Sequence, residues 1–404
     1  MQADYKKRTS SVMTRSIILV LGIVFIAANL RPAITSVGPL VESIQGDLLL
    51  SHGVVGLITT IPLLAFAVLS PLAPKLSQTY GNERVLFVSL MILCAGIWLR
   101  SSGSVTALFI GTLLVGCGIA ACNVLLPGLI KERFSNKVGL MTSVYSTSMG
   151  TWAALASGLS VPISQGLGLG WQVTLILWSL LAIIAIIIWI PQIIRGRQTR
   201  NKKAVTPTNG RIWRSGLAWQ VTLFMGLQSF AFYVTVAWLP ELLHDQGMAV
   251  AKAGWMLSLS QFVSLPANFL TPLLAGRLSG QRGMVAVISV FYFVGFGGLL
   301  FDTDMSFVVL WVICLGLCQG ASISLSLTFF GLRARTASQA SELSGMAQSI
   351  GYLLAAVGPL LIGSLYDWTH SWVAPLVTLL VVSVLLLISG LGAGRNEYVL
   401  EDDE

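Results

Sequence analysis

Twelve apolar runs recur along the chain, at about 16–43, 53–73, 85–101, 105–130, 138–164, 171–194, 216–243, 253–275, 284–301, 306–331, 341–366 and 372–394. Each is long enough, or nearly so, to cross a hydrocarbon core of roughly 30 Å as a helix. A bilayer offers no water to the backbone, so every N–H and C=O in such a run must be satisfied within a helix or a closed barrel. Runs of this length read as helices. The composition agrees: 10 % of the 404 residues are charged and mean hydropathy is +0.82, against about 25 % charge in a soluble domain. The fold class expected is therefore an all-α polytopic membrane protein.

The first run follows Lys6, Lys7, Arg8 and Arg15, and Ala27-Ala28 imitates a secretory cleavage site. It continues past Pro32 and eleven more runs follow, so it reads as an uncleaved first transmembrane helix. The loops test the count. Numbered alternately from the N-terminus, one side of the membrane collects 21 of the 24 Lys and Arg; the other receives Arg100 and Lys252, and Arg31 is left inside a run. Under the positive-inside rule that imbalance places both termini and the central basic loop in the cytoplasm. The net charge of +8 then marks topology and contact with anionic lipid rather than nucleic acid.

The stretch 195–215 is the one long polar interruption, with the composition of a flexible linker. It divides the chain into a six-helix bundle at 1–194 and a second at 216–404, the latter ending in a short acidic tail, Glu397–Glu404, expected to be disordered. The halves share a register. Shifted by 201 residues, Pro39 meets Pro240, Gln45-Gly46 meets Gln246-Gly247, Pro71 meets Pro272, Gly96 meets Gly297, Cys117 meets Cys318 and Gly150 meets Gly351. One gapless offset argues for duplication of a six-helix unit, and an even number of spans gives both copies the same orientation. The register also exposes an asymmetry, because Arg31-Pro32 pairs with Phe232-Tyr233.

Arg31 lies about 21 Å along the helix from Ile17, near mid-depth, where an isolated arginine costs at least about 2.5–3.5 kcal/mol. It reads as the basic residue with no place at a membrane surface. Pro32 removes a backbone donor and is expected to kink the helix. A guanidinium there is planar, permanently charged and able to hold a carboxylate through two parallel bonds; the competing reading ties it structurally to helix carbonyls. The five cysteines fall in apolar runs and complete no metal set, so they read as small core residues. No Gly-Lys-Ser/Thr loop and no hydrophilic domain is present, which excludes a nucleotide-driven pump and leaves nowhere to house an enzyme. Neither a cofactor nor a metal is expected.

Three stretches carry a resemblance: Ala28-Asn29-Leu30-Arg31-Pro32-Ala33, Asn123-Val124-Leu125-Leu126-Pro127 with Lys131 and Phe134, and Leu343 through Pro359. With them the chain resembles, over essentially its whole length, the cyanate/nitroimidazole transporter (CynX/NimT) family of the major facilitator superfamily. The superfamily's loop motif between spans 2 and 3 is degraded, keeping only Gly81 and Arg84. The resemblance implies a secondary active transporter in the cell membrane, monomeric, that works by alternating access on a substrate held at the midplane between the two bundles. The cargo expected is a small organic or inorganic anion, cyanate-like or a small carboxylate, or a small polar aromatic. The alternative is efflux of neutral or amphipathic drugs, nitroimidazole-like, with Arg31 structural; a non-transporting sensor and a channel are weaker competitors.

Spans 1, 4, 7, 8, 10 and 11 include the superfamily's usual cavity-lining set. On them lie Asn29, Thr35, Asn123, Gln228, Gln261, Asn268, Gln319, Gln348 and Tyr352. Together with Arg31 and Phe232, the residues expected to bind substrate are Asn29, Thr35, Asn123, Gln228, Gln319, Gln348 and Tyr352. Each amide could equally bond a neighbouring helix. Tyr145, Trp152, Tyr233 and Trp238 read as packing or interface aromatics. No carboxylate sits at mid-depth. Glu42, eleven residues beyond Arg31, is the candidate for ion coupling.

Overall fold

The computed structural model describes residues 17–50, 52–199, 211–301 and 307–400, and every regular element among them is helical. Residues 200–210 of the central linker at 195–215 and the last four residues lie outside the described residues, as does the side chain of Glu42. Helix α1 covers 17–29. It is followed by α2 (Pro32–Thr35), a 3-10 turn at Gly38–Leu40, α3 (Val41–Leu48), α4 (His52–Leu69), α5 (Leu72–Tyr80), α6 (Asn82–Arg100), α7 (Val105–Arg133) and α8 (Val138–Val161). Next come α9 (Gly170–Leu177), α10 (Ser179–Thr199), α11 (Gly216–Asp245), α12 (Val250–Ala275), α13 (Arg282–Phe301), α14 (Val308–Leu332), α15 (Ala337–Thr369) and α16 (Val373–Ala393).

Among the described residues nine helices are long and apolar enough to cross a membrane, and α4–α5 make a tenth, bent by 57°. The fifth and eighth expected spans are α8 and α12. Their 24 and 26 residues are long enough to reach across, but polar residues interrupt them so that neither holds an apolar stretch as long as the others. The reason is that their hydroxyls are used between helices: Ser143 Oγ donates to Phe269 O at 2.5 Å and Ser146 Oγ to Asn268 O at 3.0 Å. Side-chain hydroxyls that bond across a helix pair are tolerated in lipid because the alternative is an unsatisfied group.

Span 1 is broken rather than kinked. Arg31, at φ −122° and ψ −40°, is the N-cap of α2, and Pro32 takes the first helical position. Proline is pre-organised for that position, where its missing N–H has no partner to lose. It starts a short new helix instead of bending an old one.

By contact clustering the chain forms two compact units, Met1–Pro62 with Lys75–Leu126 and Ser148–Thr206, and Leu63–Pro74 with Pro127–Thr147 and Pro207–Glu404. Two segments from the first half of the sequence therefore pack with the second. In the first unit α6 packs on α10, and Val37, Leu40 and Ile44 form a core with Ile58, Leu108, Trp171 and Leu175. In the second, α11 packs against α15, α14, α16 and α12. Gly139 of α8 meets Pro272 and Gly276 of α12 with no room for a side chain, and Gly345 of α15 does the same against Ser70, where a Cβ would lie 2.7 Å from the carbonyl oxygen. Small residues of this kind let membrane helices touch backbone to backbone.

Each unit carries the same clasp. In the first, Asp47 Oδ2 accepts from Trp171 Nε1 at 3.0 Å and Gln172 Nε2 at 2.9 Å. In the second, Asp245 Oδ2 accepts from Trp372 Nε1 at 2.9 Å and Tyr366 Oη at 2.6 Å. Trp171 and Trp372 are related by the 201-residue repeat. Both carboxylates are exposed, so solvent competes for them. We expect Asp47→Ala and Asp245→Ala each to lower the melting temperature by about 2 °C and to leave transport intact, as a thermal-shift series with uptake controls would show.

Two expectations are corrected. The acidic tail is ordered as far as it is described. Val399 is buried and its N–H bonds Arg333 O at 2.8 Å, while Arg335 lies over the Tyr398 ring at 4.9 Å. The tyrosine and valine give the tail an apolar grip that its charge count conceals. Arg31 is also not alone in avoiding water. Arg333 is 2 % exposed, with its Nε on Ala393 O and Nη2 on Gln281 Oε1; burial lowers its pKa to about 10, against the pull of Tyr398 and Glu397. Arg100, expected in an outer loop, is 1 % exposed.

Candidate functional site

In the first unit the candidate residues gather around the break in span 1. Asn29 ends α1 with its Nδ2 donating to Phe25 O at 2.7 Å, so its amide spends one donor on its own helix. Arg31 is partly exposed. Its carbonyl accepts from the N–H groups of Ile34 at 2.8 Å and Thr35 at 2.9 Å, closing the first turn of α2. Thr35 Oγ1 lies 3.2 Å from Arg31 O and 3.1 Å from Ala153 O of α8. Ser148 Oγ donates to Val24 O at 2.9 Å, so α8 is bonded to span 1 on both sides of the break. Asn123 is buried on α7. Trp152 packs with Ala156, Trp178 and Leu181, in keeping with a packing role.

In the second unit the candidate amides are all buried. Gln228 Nε2 faces Met225 O at 3.0 Å and Ser229 Oγ at 2.7 Å, both on its own helix. Gln319 Nε2 donates to Thr235 Oγ1 at 2.8 Å and so ties α14 to α11. Gln348 Nε2 donates to Ser344 Oγ at 2.8 Å. These bonds satisfy groups that would be costly in lipid. Thr235 also lines a cavity of about 20 Å³ with Trp238, Phe296 and Trp372, room for one water and too small for cargo. Phe232 and Tyr233 are partly exposed and meet edge to face at 5.3 Å. Tyr352 packs against Phe66, ring centroids 4.7 Å apart. Trp238 Nε1 bonds Pro359 O at 2.9 Å.

The structure thus brings Asn29, Arg31 and Thr35 together at one helix break. Gln319 is joined to Thr235, and Gln228 and Gln348 bond within their own helices. Sequence reasoning missed Phe66 and Arg100. Phe66 sits mid-run and looks like any lipid-facing aromatic; Arg100 ends a run and looks like any loop arginine. Neither has a local signal, because what distinguishes them is a partner far along the chain. The cysteines are free, and no three His, Cys, Asp or Glu among the described residues converge as metal ligands.

Comparison with known proteins agrees with this architecture. The Major Facilitator Superfamily profile matches residues 17–356. The uncharacterized transporter YycB of Bacillus subtilis (strain 168) is 52 % identical over 386 residues, covering 96 % of each chain. The 2-nitroimidazole transporter of Escherichia coli (strain K12) is 43 % identical over 384 residues, 95 % of this chain and 97 % of that one. Among solved structures, that of the proton:xylose symporter XylE superposes with a TM-score of 0.72 over 95 % of this chain and 98 % of the other, at 12 % identity, a likeness of fold alone. The helical spans among the described residues and these matches make the chain a multi-pass membrane transporter rather than an enzyme, and a member of the major facilitator superfamily, in its cyanate/nitroimidazole transporter (CynX/NimT) family.

Proposed function

We propose that the protein is a secondary active transporter in the cell membrane that moves a small anion, or a small flat compound with an anion-like end, by alternating access. The observation that carries this reading is Arg31, partly exposed at the break between α1 and α2. A guanidinium held at a helix break near mid-depth can offer two parallel N–H donors to a pair of coplanar oxygens. Carboxylates present such a pair, and so does a nitro group. The 2-nitroimidazole transporter at 43 % identity makes that second case specific. Phe232, the repeat-related counterpart of Arg31, would supply a flat apolar surface to the same cargo. In this proposal Asn29, Thr35 and Asn123 orient the negative end, while Gln228, Gln319, Gln348 and Tyr352 serve the other.

The halves at 1–194 and 216–404, joined by 195–215, would rock against each other, with a monomer as the working unit and both termini cytoplasmic, as the loop charges indicate. What supports alternating access is the set of glycine and serine contacts in the second unit, where Leu63–Pro74 and Pro127–Thr147 meet α12 and α15. We read them as a closed gate on the cytoplasmic side. Ion coupling through Glu42 is part of the proposal only as a candidate to be tested by Glu42→Gln.

A thermal-shift screen on the purified protein, with cyanate, small carboxylates and 2-nitroimidazole, tests the reading. A bound ligand raises the melting temperature by mass action, worth about 2.7 kcal/mol at one hundred times Kd. The expected result is a shift with at least one of these compounds that disappears in Arg31→Ala. A shift of equal size in the mutant would instead favour efflux of neutral drugs with Arg31 structural.

A further inference from the structure

We infer that Arg100 is a positioning residue that pins the short helix presenting Arg31. The inference rests on the reading of Arg31 as a substrate group for its purpose, and on geometry alone for its mechanism. Arg100 is the last residue of α6, where an arginine would ordinarily reach for water or headgroups. Instead its side chain is 1 % exposed and its Nη1 donates to Ala33 O, two residues beyond Arg31.

Local structure explains why this carbonyl is the target. Helix α2 is only four residues long. Val37 N–H, which would continue a regular helix by bonding Ala33 O, turns to Ile34 O at 3.2 Å. The carbonyl of Ala33 is left to Arg100. On the other side, Gly111 of α7 lets the end of α6 come so close that a Cβ at 111 would lie 2.7 Å from Arg100 Cα. The guanidinium is thus set on a glycine contact at its base and a helix-break carbonyl at its tip.

The arrangement is costly. Arg100 Nε and Nη2 are buried without a hydrogen-bond partner among the described residues, and so is Ser36 Oγ one turn along from Ala33. A buried guanidinium that satisfies one donor leaves the desolvation of the others uncompensated. A bond to one carbonyl could be made by a smaller neutral donor at less cost, so stability does not account for the arginine. Strong, charge-assisted fixation of a four-residue helix does. α2 has too few internal hydrogen bonds to hold its own orientation, and Arg31 stands at its start. A pin on Ala33 fixes the direction in which Arg31 is offered.

The test uses the full-length protein in detergent, with Ile34→Cys as reporter, because Ile34 is partly exposed on α2 and its reactivity toward a water-soluble maleimide reads the segment's order without any ligand; the protein lacking that cysteine supplies the background. Arg100→Met should raise the labelling rate about fivefold, the weight of one lost hydrogen bond. Arg100→Lys, which still brings one charged donor to the carbonyl, should return it to within about twofold. Arg31→Ala should leave it unchanged. Unaltered labelling in Arg100→Met, or a lysine variant as labile as the methionine one, overturns the pin.

Binding of 2-nitroimidazole, followed by thermal shift, then separates the two roles. Where wild type binds it, Arg100→Met should weaken binding by about the same fivefold and Arg100→Lys should recover it, a pattern opposite to that at Arg31, where lysine should not rescue. Wild-type affinity in Arg100→Met despite faster labelling overturns the claim that the pin serves Arg31. If wild type itself does not bind the compound, that cargo reading of Arg31 fails, and the labelling ratios still decide the pin.

Discussion

Arg31→Gln is expected to lower transport at least about thirtyfold while the protein still reaches the membrane and keeps its melting temperature within a few degrees. The side chain is partly exposed and stands at the end of a helix rather than in a packed core, so removing it leaves no cavity of the kind that unfolds proteins. In the proposed role what would be lost is a charge-assisted, two-point bond to cargo, and truncating one partner of such a pair costs about 2–5 kcal/mol, or roughly thirty- to several-thousand-fold in affinity. Arg31→Lys should recover little, because an ammonium is a point charge without the fork geometry. Concentration-dependent uptake into proteoliposomes, with the compound that gives the thermal shift, measures it. Full transport by Arg31→Ala would retire the proposed role.

The second large effect is expected at Gly345. A Cβ there would lie 2.7 Å from Ser70 O and 3.1 Å from Pro74 Cγ. One turn along α15, Ser349 Oγ donates to Ala67 O at 2.5 Å, so the same helix face is seated twice on Leu63–Pro74. Leucine at 345 cannot be accommodated by rotating a neighbour, since the atom it meets is backbone. Overpacking of this kind costs about 1–3 kcal/mol, and here it falls on one closed contact rather than on the whole fold. If closure of that contact is a step of the cycle, Gly345→Leu should lose at least about tenfold in flux while Kd for the cargo changes little. Cysteine labelling at Ser349 should rise in parallel. A variant that transports at the wild-type rate would show that the contact need not close. A variant that loses binding and flux equally would place Gly345 in the cargo site instead of the gate.

The two experiments bear on different parts of the sequence's legibility. The spans could be read without a structure because lipid imposes a one-dimensional rule, a helix of about twenty apolar residues for each crossing, and ten of the twelve expected runs satisfy it outright or as a bent pair. α8 and α12 were found by position and length despite their polarity. The repeat was legible through one offset, and that offset relates the tryptophans of the two clasps, Trp171 and Trp372, though not their aspartates. Arg31 was legible because a charge in an apolar run is conspicuous.

Other features could not be read because their identity depends on what they touch. Arg100 and Lys252 occupy equivalent places in the charge pattern; one is buried on Ala33 O and the other is exposed. Gln228 and Gln319 look alike as mid-span amides, yet one bonds its own helix and the other a neighbouring one. Pro32 reads as a kink, and only the turn at Leu30-Arg31 makes it the start of a new helix. The tail reads as acidic and loose until Val399 is seen to find Arg333. Hydropathy and charge are properties each residue carries alone, and the bilayer sorts them by depth, so the membrane class, the span order and the charged intruder follow from the chain in one dimension. Which polar group is satisfied, and by whom, is a property of pairs drawn together by packing. The broken span, the twin clasps, the glycine contacts and the buried guanidinium at Arg100 were therefore decided by the tertiary structure alone.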